Sequence, residues 1–359
     1  MTIFRNVKRL PTAEELIRKI PLSQEGYARI QRDREEVQDI LAGRDPRMLV
    51  VVGPCSAWPD TAFLEYARRM RAFQDEVSNA LKIVVRTYIQ KPRTSRGWTG
   101  PVNQPDPFSP PNIEEGMLYS RRMMVAAVEL GLAIADEALF THNAKGFLEL
   151  LSWVAIGARS SEDQEHRIWA SAIGAPVGMK NPTSGCVPIG VNSVLAAQSA
   201  HTAVFDGYQV ETGGNPYAHL VLRGGAKGPN HHLSQLYLAR ERMRELGIEN
   251  PALLVDASHD NSRMNGTKTP EVQTDVIREV FGNLSGHPEL QPLVRGFLLE
   301  SFLQGGCQSL SRVTAETVDR EGLSITDPCL GWERTIVLLR GMAQRVEELV
   351  PGLRRRKIS

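Results

Sequence analysis

Lys91-Pro-Arg-Thr94 is the segment of this chain richest in chemistry, and Arg86 precedes it on the same apolar run. A lysine, an arginine and a hydroxyl at the end of a strand would hold phosphate through charge-assisted hydrogen bonds. Pro92 restricts the backbone, so Arg93 and Thr94 are preorganised rather than loose. Taken alone, the tetrapeptide reads equally well as a solvated basic loop. Arg159, Lys180 and Arg223 shift that balance, because each also falls where an apolar run ends. Six cations converging on a small site need anions to offset their repulsion. Two phosphates and a carboxylate would suffice. Glu137 closes another run as an internal counter-charge, placed to orient a cation or hold a catalytic water. Its ordinary alternative is a structural ion pair.

A second set, Cys55, His259, Glu300 and Asp327, is spread along the chain but follows the same placement after apolar runs. A thiolate, an imidazole and two carboxylates suit a first-row divalent ion with open positions rather than a closed structural zinc site. Such an ion would polarise an aldehyde carbonyl. Each residue also has an ordinary reading: Cys55 as core, His259 as a satisfied strand-end histidine, Glu300 and Asp327 as helix caps. Spacing alone does not choose between them.

These residues need elements that bring them to one place. Eight short apolar runs recur from Met48 onward: Met48–Val52, Ile83–Tyr88, Leu132–Ala135, Val154–Ile156, Pro176–Met179, His219–Leu222, Ala252–Val255 and Val294–Leu299. Segments of helical spacing alternate with them, including Thr61–Phe73, Ile113–Leu130, Leu233–Leu246, Pro270–Phe281 and Glu333–Leu349. Eight βα units in order predict an α/β fold of the (β/α)8 TIM-barrel type, whose sites lie at the C-terminal ends of the strands. Residues 1–47 form an N-terminal helical extension, and residues 48–359 form the catalytic barrel. In the extension, Thr12 and Glu15 have capping-box spacing, and a second helix is predicted over Ser23–Leu41. Ala203–Phe205 and Tyr208–Val210, joined by Asp206-Gly207, predict a short β-hairpin inserted before the sixth strand.

Bulk composition narrows the partners. Among 359 residues, 42 basic and 41 acidic side chains leave a formal net charge of +1, so nothing draws the whole chain to nucleic acid or an anionic membrane. The basic residues are dispersed along strand ends without interleaved aromatic platforms, which argues against nucleic-acid binding. No stretch approaches the roughly 18 apolar residues of a membrane span, and the first residues lack a secretory core. Four cysteines without a CxxC pair do not make a disulfide framework. The expectation is a cytoplasmic protein.

Eight segments then carry a resemblance. Gly53-Pro-Cys-Ser, Lys91-Pro-Arg-Thr, Ala155-Ile-Gly-Ala-Arg, Gly178-Met-Lys-Asn, Leu222-Arg-Gly-Gly, Asp256-Ala-Ser-His, Glu300-Ser and Ser324-Ile-Thr-Asp occur in this order. They resemble the signature segments of type I 3-deoxy-D-arabino-heptulosonate 7-phosphate (DAHP) synthases. The similarity runs from about Met48 to Gly341. It implies a transferase that condenses phosphoenolpyruvate with D-erythrose 4-phosphate and water, giving DAHP and phosphate at the entry to the shikimate pathway. It implies that Arg86, Lys91, Arg159, Lys180 and Arg223, with Gly157, Ala158 and Glu137, hold phosphoenolpyruvate. Arg93 and Thr94 would take the acceptor phosphate beside Asp327, with Pro92 shaping the loop. Cys55, His259, Glu300 and Asp327 would bind one divalent ion, Mn2+ foremost, with Fe2+, Co2+ or Zn2+ as alternatives. Lys91, Cys55 and His259 would be catalytic, with Lys91 or a metal-bound water passing a proton to the developing alkoxide. A homodimer or homotetramer is implied.

Two departures carry expectations of their own. The inserted hairpin is shorter than in feedback-regulated relatives, and the segment Ala138–Lys145 differs from theirs. Weak or absent inhibition by aromatic amino acids follows, as suits a copy serving a specialised aromatic pathway. Ala57-Trp58 and Val154 leave room for another aldose phosphate acceptor. A non-catalytic barrel that binds phosphorylated metabolites is the remaining alternative, and the fully filled ligand pattern weighs against it.

Overall fold

The computed structural model describes residues 3, 5–93, 97–139, 145–205, 207–351 and 353. Eight parallel strands close into a barrel: β1 (Met48–Gly53), β2 (Leu81–Arg86), β3 (Ile134–Glu137), β4 (Trp153–Ile156), β5 (Val177–Lys180), β8 (His219–Leu222), β9 (Leu253–Asp256) and β12 (Val294–Glu300). Strand β1 pairs with both β2 and β12, which removes the sheet edges. All eight apolar runs of the sequence are barrel strands. Helices α3 (Asp60–Val77), α4 (Ile113–Glu129), α5 (Gln164–Ala172), α6 (Val187–Gln198), α7 (Leu233–Glu245), α8 (Val272–Gly286) and α9 (Trp332–Leu349) follow in chain order. The periodicity did not single out α5 and α6. The first is short, and the second, VPIGVNSVLAAQ, is apolar on most of its faces.

Strand residues alternate between two compartments, as a pleated backbone requires. Leu49, Val51, Val84, Ala135, Trp153, Ala155, Val221, Leu254 and Leu298 pack together in the lumen. Their neighbours Val50, Val85, Ile134, Val154, Leu220, Leu253 and Leu299 belong to the larger core that also takes in helix residues. Trp153 fills space left by Gly178, where an added Cβ would lie 2.2 Å from the indole.

The extension seals one end of this lumen. Helix α1 (Ala13–Lys19) starts at a Thr12–Glu15 capping box, and α2 (Gln24–Leu41) is capped by Ser23. Each such cap contributes about 1 kcal/mol. Val37, Ile40 and Leu41 of α2 pack in the lumen cluster. Arg34 donates to the carbonyls of Leu148 and Leu151, and Lys82 at the start of β2 pairs with Asp33 at 2.6 Å. The plug leaves the opposite end of the barrel for chemistry.

Two antiparallel hairpins lie outside the barrel. Strands β6 (Thr202–Phe205) and β7 (Tyr208–Glu211) form the inserted hairpin, anchored by Phe205 edge-on against Trp169 at 5.1 Å. Asp206 of its turn lies outside the described residues. Strands β10 (Arg263–Met264) and β11 (Thr267–Lys268) form a shorter one beyond β9. Among the described residues, no helix is long and apolar enough to cross a membrane.

Candidate active site at the barrel mouth

The two-residue period that fills the lumen continues to the C-terminal strand ends and changes chemistry there. Arg86 follows Val84, Glu137 follows Ala135, Lys180 follows Gly178, Asp256 follows Leu254 and Glu300 follows Leu298, each two positions on. Gly157, Arg223 and Cys55 lie just past the ends of β4, β8 and β1. A floor of ionised groups therefore rests directly on an apolar plug.

Arg86 is fully buried. It donates to Glu300 Oε1 at 3.1 Å and to the Pro54 carbonyl at 3.2 Å, and its guanidinium stacks 3.9 Å from the Tyr88 ring centre. Among the described residues its Nη1 has no hydrogen-bond partner, a costly state for a buried cation unless an anion arrives. Lys91 donates to the Cys55 carbonyl at 2.7 Å and lies 3.1 Å from Cys55 Sγ. Its own N–H bonds to the Thr99 carbonyl, which fixes the loop behind it. Arg93 Nε donates to the Trp98 carbonyl at 2.8 Å. Thr94 lies outside the described residues.

Glu137 is buried, and its Oε1 has no hydrogen-bond partner among the described residues. Gly157 makes room for it: a Cβ there would lie 2.1 Å from that oxygen. Lys180 Nζ lies 3.2 Å from Asp256 Oδ2, and the same oxygen lies 2.9 Å from His259 Nδ1. Arg223 pairs with Asp260, which also holds Arg263, and Lys268 pairs with Asp327.

Sγ of Cys55 and carboxylate oxygens of Glu300 and Asp327 lie within 4.8 Å of one another. His259 Nε2 stands 3.7 Å from Glu300 Oε1. Asp256 and Ser258 hold its Nδ1, which orients the ring as a ligating imidazole needs. His259 itself has φ +56°, a left-handed backbone that turns the chain sharply after β9. Neither Glu300 nor Asp327 caps a helix: the N-cap of α9 is Gly331. The donor set thus fits a divalent ion with open positions.

The electrostatics agree with that chemistry. Burial, reinforced by Glu300, pushes the Cys55 thiol up, against the pull of Lys91. Burial also pushes Glu300 up, but His259 and Arg86 outweigh it and hold the carboxyl below its usual range. Asp327 is likewise held low, with Lys268 and His259 overcoming its burial. Burial lowers the His259 pKa, although Asp256 beside it works the other way.

The resulting cavity measures about 350 Å³. Cys55, Lys91, Pro92, Arg93, Glu137, Gly157, Ala158, Arg159, Lys180, Arg223, His259 and Asp327 all line it, and Arg86 and Glu300 are buried below. A larger apolar groove of about 710 Å³ between α8 and α9 touches none of these residues. Sequence reasoning missed Tyr88, Arg263, Lys268 and Thr326, which also line the cavity, and Asp256 and Asp260 behind it. Arg263 and Lys268 flank Asn265-Gly266, a hairpin signal readable in the chain.

Fold and site together define a (β/α)8 barrel with a cationic mouth beside a thiol–imidazole–carboxylate cluster that could hold a metal ion. The family model described as "DAHP synthetase I family" matches residues 20–340, and this chain belongs to that family. Phospho-2-dehydro-3-deoxyheptonate aldolase, Tyr-sensitive, of Escherichia coli (strain K12) is 39% identical over 341 residues, covering 93% of this chain and 92% of that protein. Phospho-2-dehydro-3-deoxyheptonate aldolase of Corynebacterium glutamicum is 37% identical over 350 residues, covering 94% and 92%. The solved phospho-2-dehydro-3-deoxyheptonate aldolase of Francisella tularensis SCHU S4 superposes with a TM-score of 0.89 at 32% identity, covering 96% of this chain and 98% of that one.

Proposed function

We propose that this chain is a cytoplasmic DAHP synthase (3-deoxy-7-phosphoheptulonate synthase), joining phosphoenolpyruvate and D-erythrose 4-phosphate with water to give DAHP and phosphate, the first step of aromatic biosynthesis. The observation that carries this reading is the convergence of Arg86, Lys91, Lys180 and Arg223 on one cavity that also holds Cys55, Glu300 and Asp327. The cations hold the phosphate and carboxylate of phosphoenolpyruvate against Gly157 and Ala158. Arg93 and Thr94 receive the acceptor phosphate from the open side, on a loop that Pro92 shapes. Cys55, His259, Glu300 and Asp327 would hold a divalent ion, Mn2+ our first choice, which would supply Lewis-acid polarisation of the aldehyde.

C3 of phosphoenolpyruvate attacks the aldehyde carbon, and the new oxygen anion takes a proton. Lys91 is the donor best placed, with Nζ 3.1 Å from Cys55 Sγ at the edge of the metal set. Although burial works against its charge, Cys55 and Glu300 keep the Lys91 pKa raised, so it starts protonated. Glu137 orients the water that adds at C2, through an oxygen free of other hydrogen bonds. Phosphate then leaves by C–O cleavage, its charge carried by the surrounding guanidinium and ammonium groups. The N-terminal extension contributes to a homodimer or homotetramer. The hairpin β6–β7, four residues per strand, lacks the bulk to build an effector pocket, so aromatic amino acids inhibit weakly or not at all. The segment 140–144, which also bears on that expectation, lies outside the described residues.

The test is product identification by mass after incubation with both substrates and Mn2+, with and without chelator, and with arabinose 5-phosphate in a parallel arm. DAHP formation abolished by chelator is the expected result. Exclusive turnover of the five-carbon acceptor, or no phosphate release from any pair, refutes the assignment.

A further inference from the structure

Away from the barrel mouth, His231, His232 and Glu279 bring one donor atom each within 4.8 Å of one another. His231 is buried, whereas His232 and Glu279 are each roughly half exposed. The carboxylate of Glu279 on α8 reaches both rings, Oε1 to His232 Nδ1 at 2.7 Å and Oε2 to His231 Nε2 at 3.3 Å. The ring centres are 4.3 Å apart, so the imidazoles face one carboxylate from the same side. Two imidazoles and a carboxylate form a three-ligand set that takes zinc-class ions and leaves a further position for water.

Position 232 is also the N-cap of α7. Thr, Ser, Asn or Asp side chains cap α1, α2, α4 and α5, whereas α7, like α3, α6, α8 and α9, has no side-chain cap among the described residues. A cap is worth about 1 kcal/mol, and here the ring turns to Glu279 instead.

The cluster terminates the loop that begins at Arg223. Asn230 accepts from the Gly224 N–H at 2.7 Å, donates from its own N–H to Asn261 at 2.8 Å, and donates to Asn181 Oδ1 at 3.0 Å. Asn181 Oδ1 in turn accepts the Arg223 N–H at 2.8 Å. His231 follows Asn230 directly.

We propose that His231, His232 and Glu279 form a second divalent-metal site, of zinc-class preference, that clamps the Arg223 loop to α8 and is separate from the Cys55 site. An imidazole-rich donor set without sulfur favours Zn2+, Co2+ or Ni2+ over Mn2+.

The test uses the full-length chain free of any histidine tag, stripped by chelator and dialysed against low micromolar Co2+. Metal content is counted by mass spectrometry, and coordination is read by X-ray absorption. Wild type is expected to hold one more ion per chain than the His232→Ala/Glu279→Gln variant. In Cys55→Ala, an ion with only nitrogen and oxygen neighbours is expected to remain and to be lost when His232→Ala and Glu279→Gln are added. Glu279→Gln alone preserves shape and serves as the reporter if the double variant misfolds. Equal metal content in wild type and these variants, or an extra ion bound through sulfur, overturns the proposal.

Discussion

Replacing Gly157 with alanine asks whether Glu137 must stand where it does. All three atoms nearest to an added Cβ belong to Glu137, with Oε1 at 2.1 Å and Cδ at 3.0 Å. Because the backbone of Gly157 is not in the left-handed region, alanine meets only this clash. Ordinary contact starts near 3.4 Å, so the carboxylate must retreat by about 1 Å. A displacement of that size at a reacting centre costs on the order of 10²-fold in rate, or about 2.7 kcal/mol. Overpacking adds roughly 1–3 kcal/mol of destabilisation. The assay is a double-mutant cycle with Glu137→Ala, followed by kcat/KM from phosphate release and by thermal unfolding. If the clash is the cause, Gly157→Ala is costly in wild type and nearly neutral once Glu137 is truncated, a coupling of about 1–3 kcal/mol. Equal losses in both backgrounds would refute the reasoning, as would a fully active Gly157→Ala protein.

Three further outcomes follow from the same geometry. Cys55→Ala should lower turnover more than 10²-fold and remove the sulfur-to-cobalt absorption of the Co2+ form, while circular dichroism stays unchanged; full activity would take the thiolate out of the metal set. His219, buried in the barrel and accepting from Trp153 Nε1 at 3.1 Å, has its pKa lowered to about 4 by burial. Its stabilisation is complete above pH ~6.5 and is lost as pH falls through ~4, roughly 3 kcal/mol in all. Denaturant titrations of wild type and His219→Gln should therefore converge as pH drops, and parallel curves would exclude the linkage. Millimolar phenylalanine, tyrosine or tryptophan should leave turnover at saturating substrate unchanged, and suppression by any of them would show that an effector pocket survives beside the short hairpin.

The architecture was legible because a parallel barrel writes each strand as an apolar run with a chemical ending. Val84-Val85-Arg86 and Leu298-Leu299-Glu300 carry strand, lumen side and site residue in three letters each. Grouping Arg86, Lys91, Lys180 and Arg223 on strand ends therefore needed no contact information. Their counter-charges were harder to read. Asp256 reads as part of an Asp-Ala-Ser-His segment valued for its histidine, yet its carboxylate stands between Lys180 and His259. Asp260, Arg263 and Lys268 lie on a turn and a two-residue-per-strand hairpin, too short to show a period. Glycines followed the same division. Gly157 looks like one more loop glycine until Glu137 Oε1 is found where its Cβ would be.

Such pairings depend on which strands become neighbours, since β3 and β4 pair Glu137 with Ala155 and so set Glu137 against the residue two positions on. Periodicity tells which face a residue takes, but only sheet closure tells which residue it meets there. The ions of this mouth illustrate the consequence. Arg86 and Glu300 are far apart in the chain and 3.1 Å apart in space because β1 lies between β2 and β12. Each is fully buried, and deleting either strands the other at about 3–5 kcal/mol. The pair is thus at once a stability constraint on barrel closure and the floor of the site, so substitutions there must be scored for folding before they are scored for catalysis.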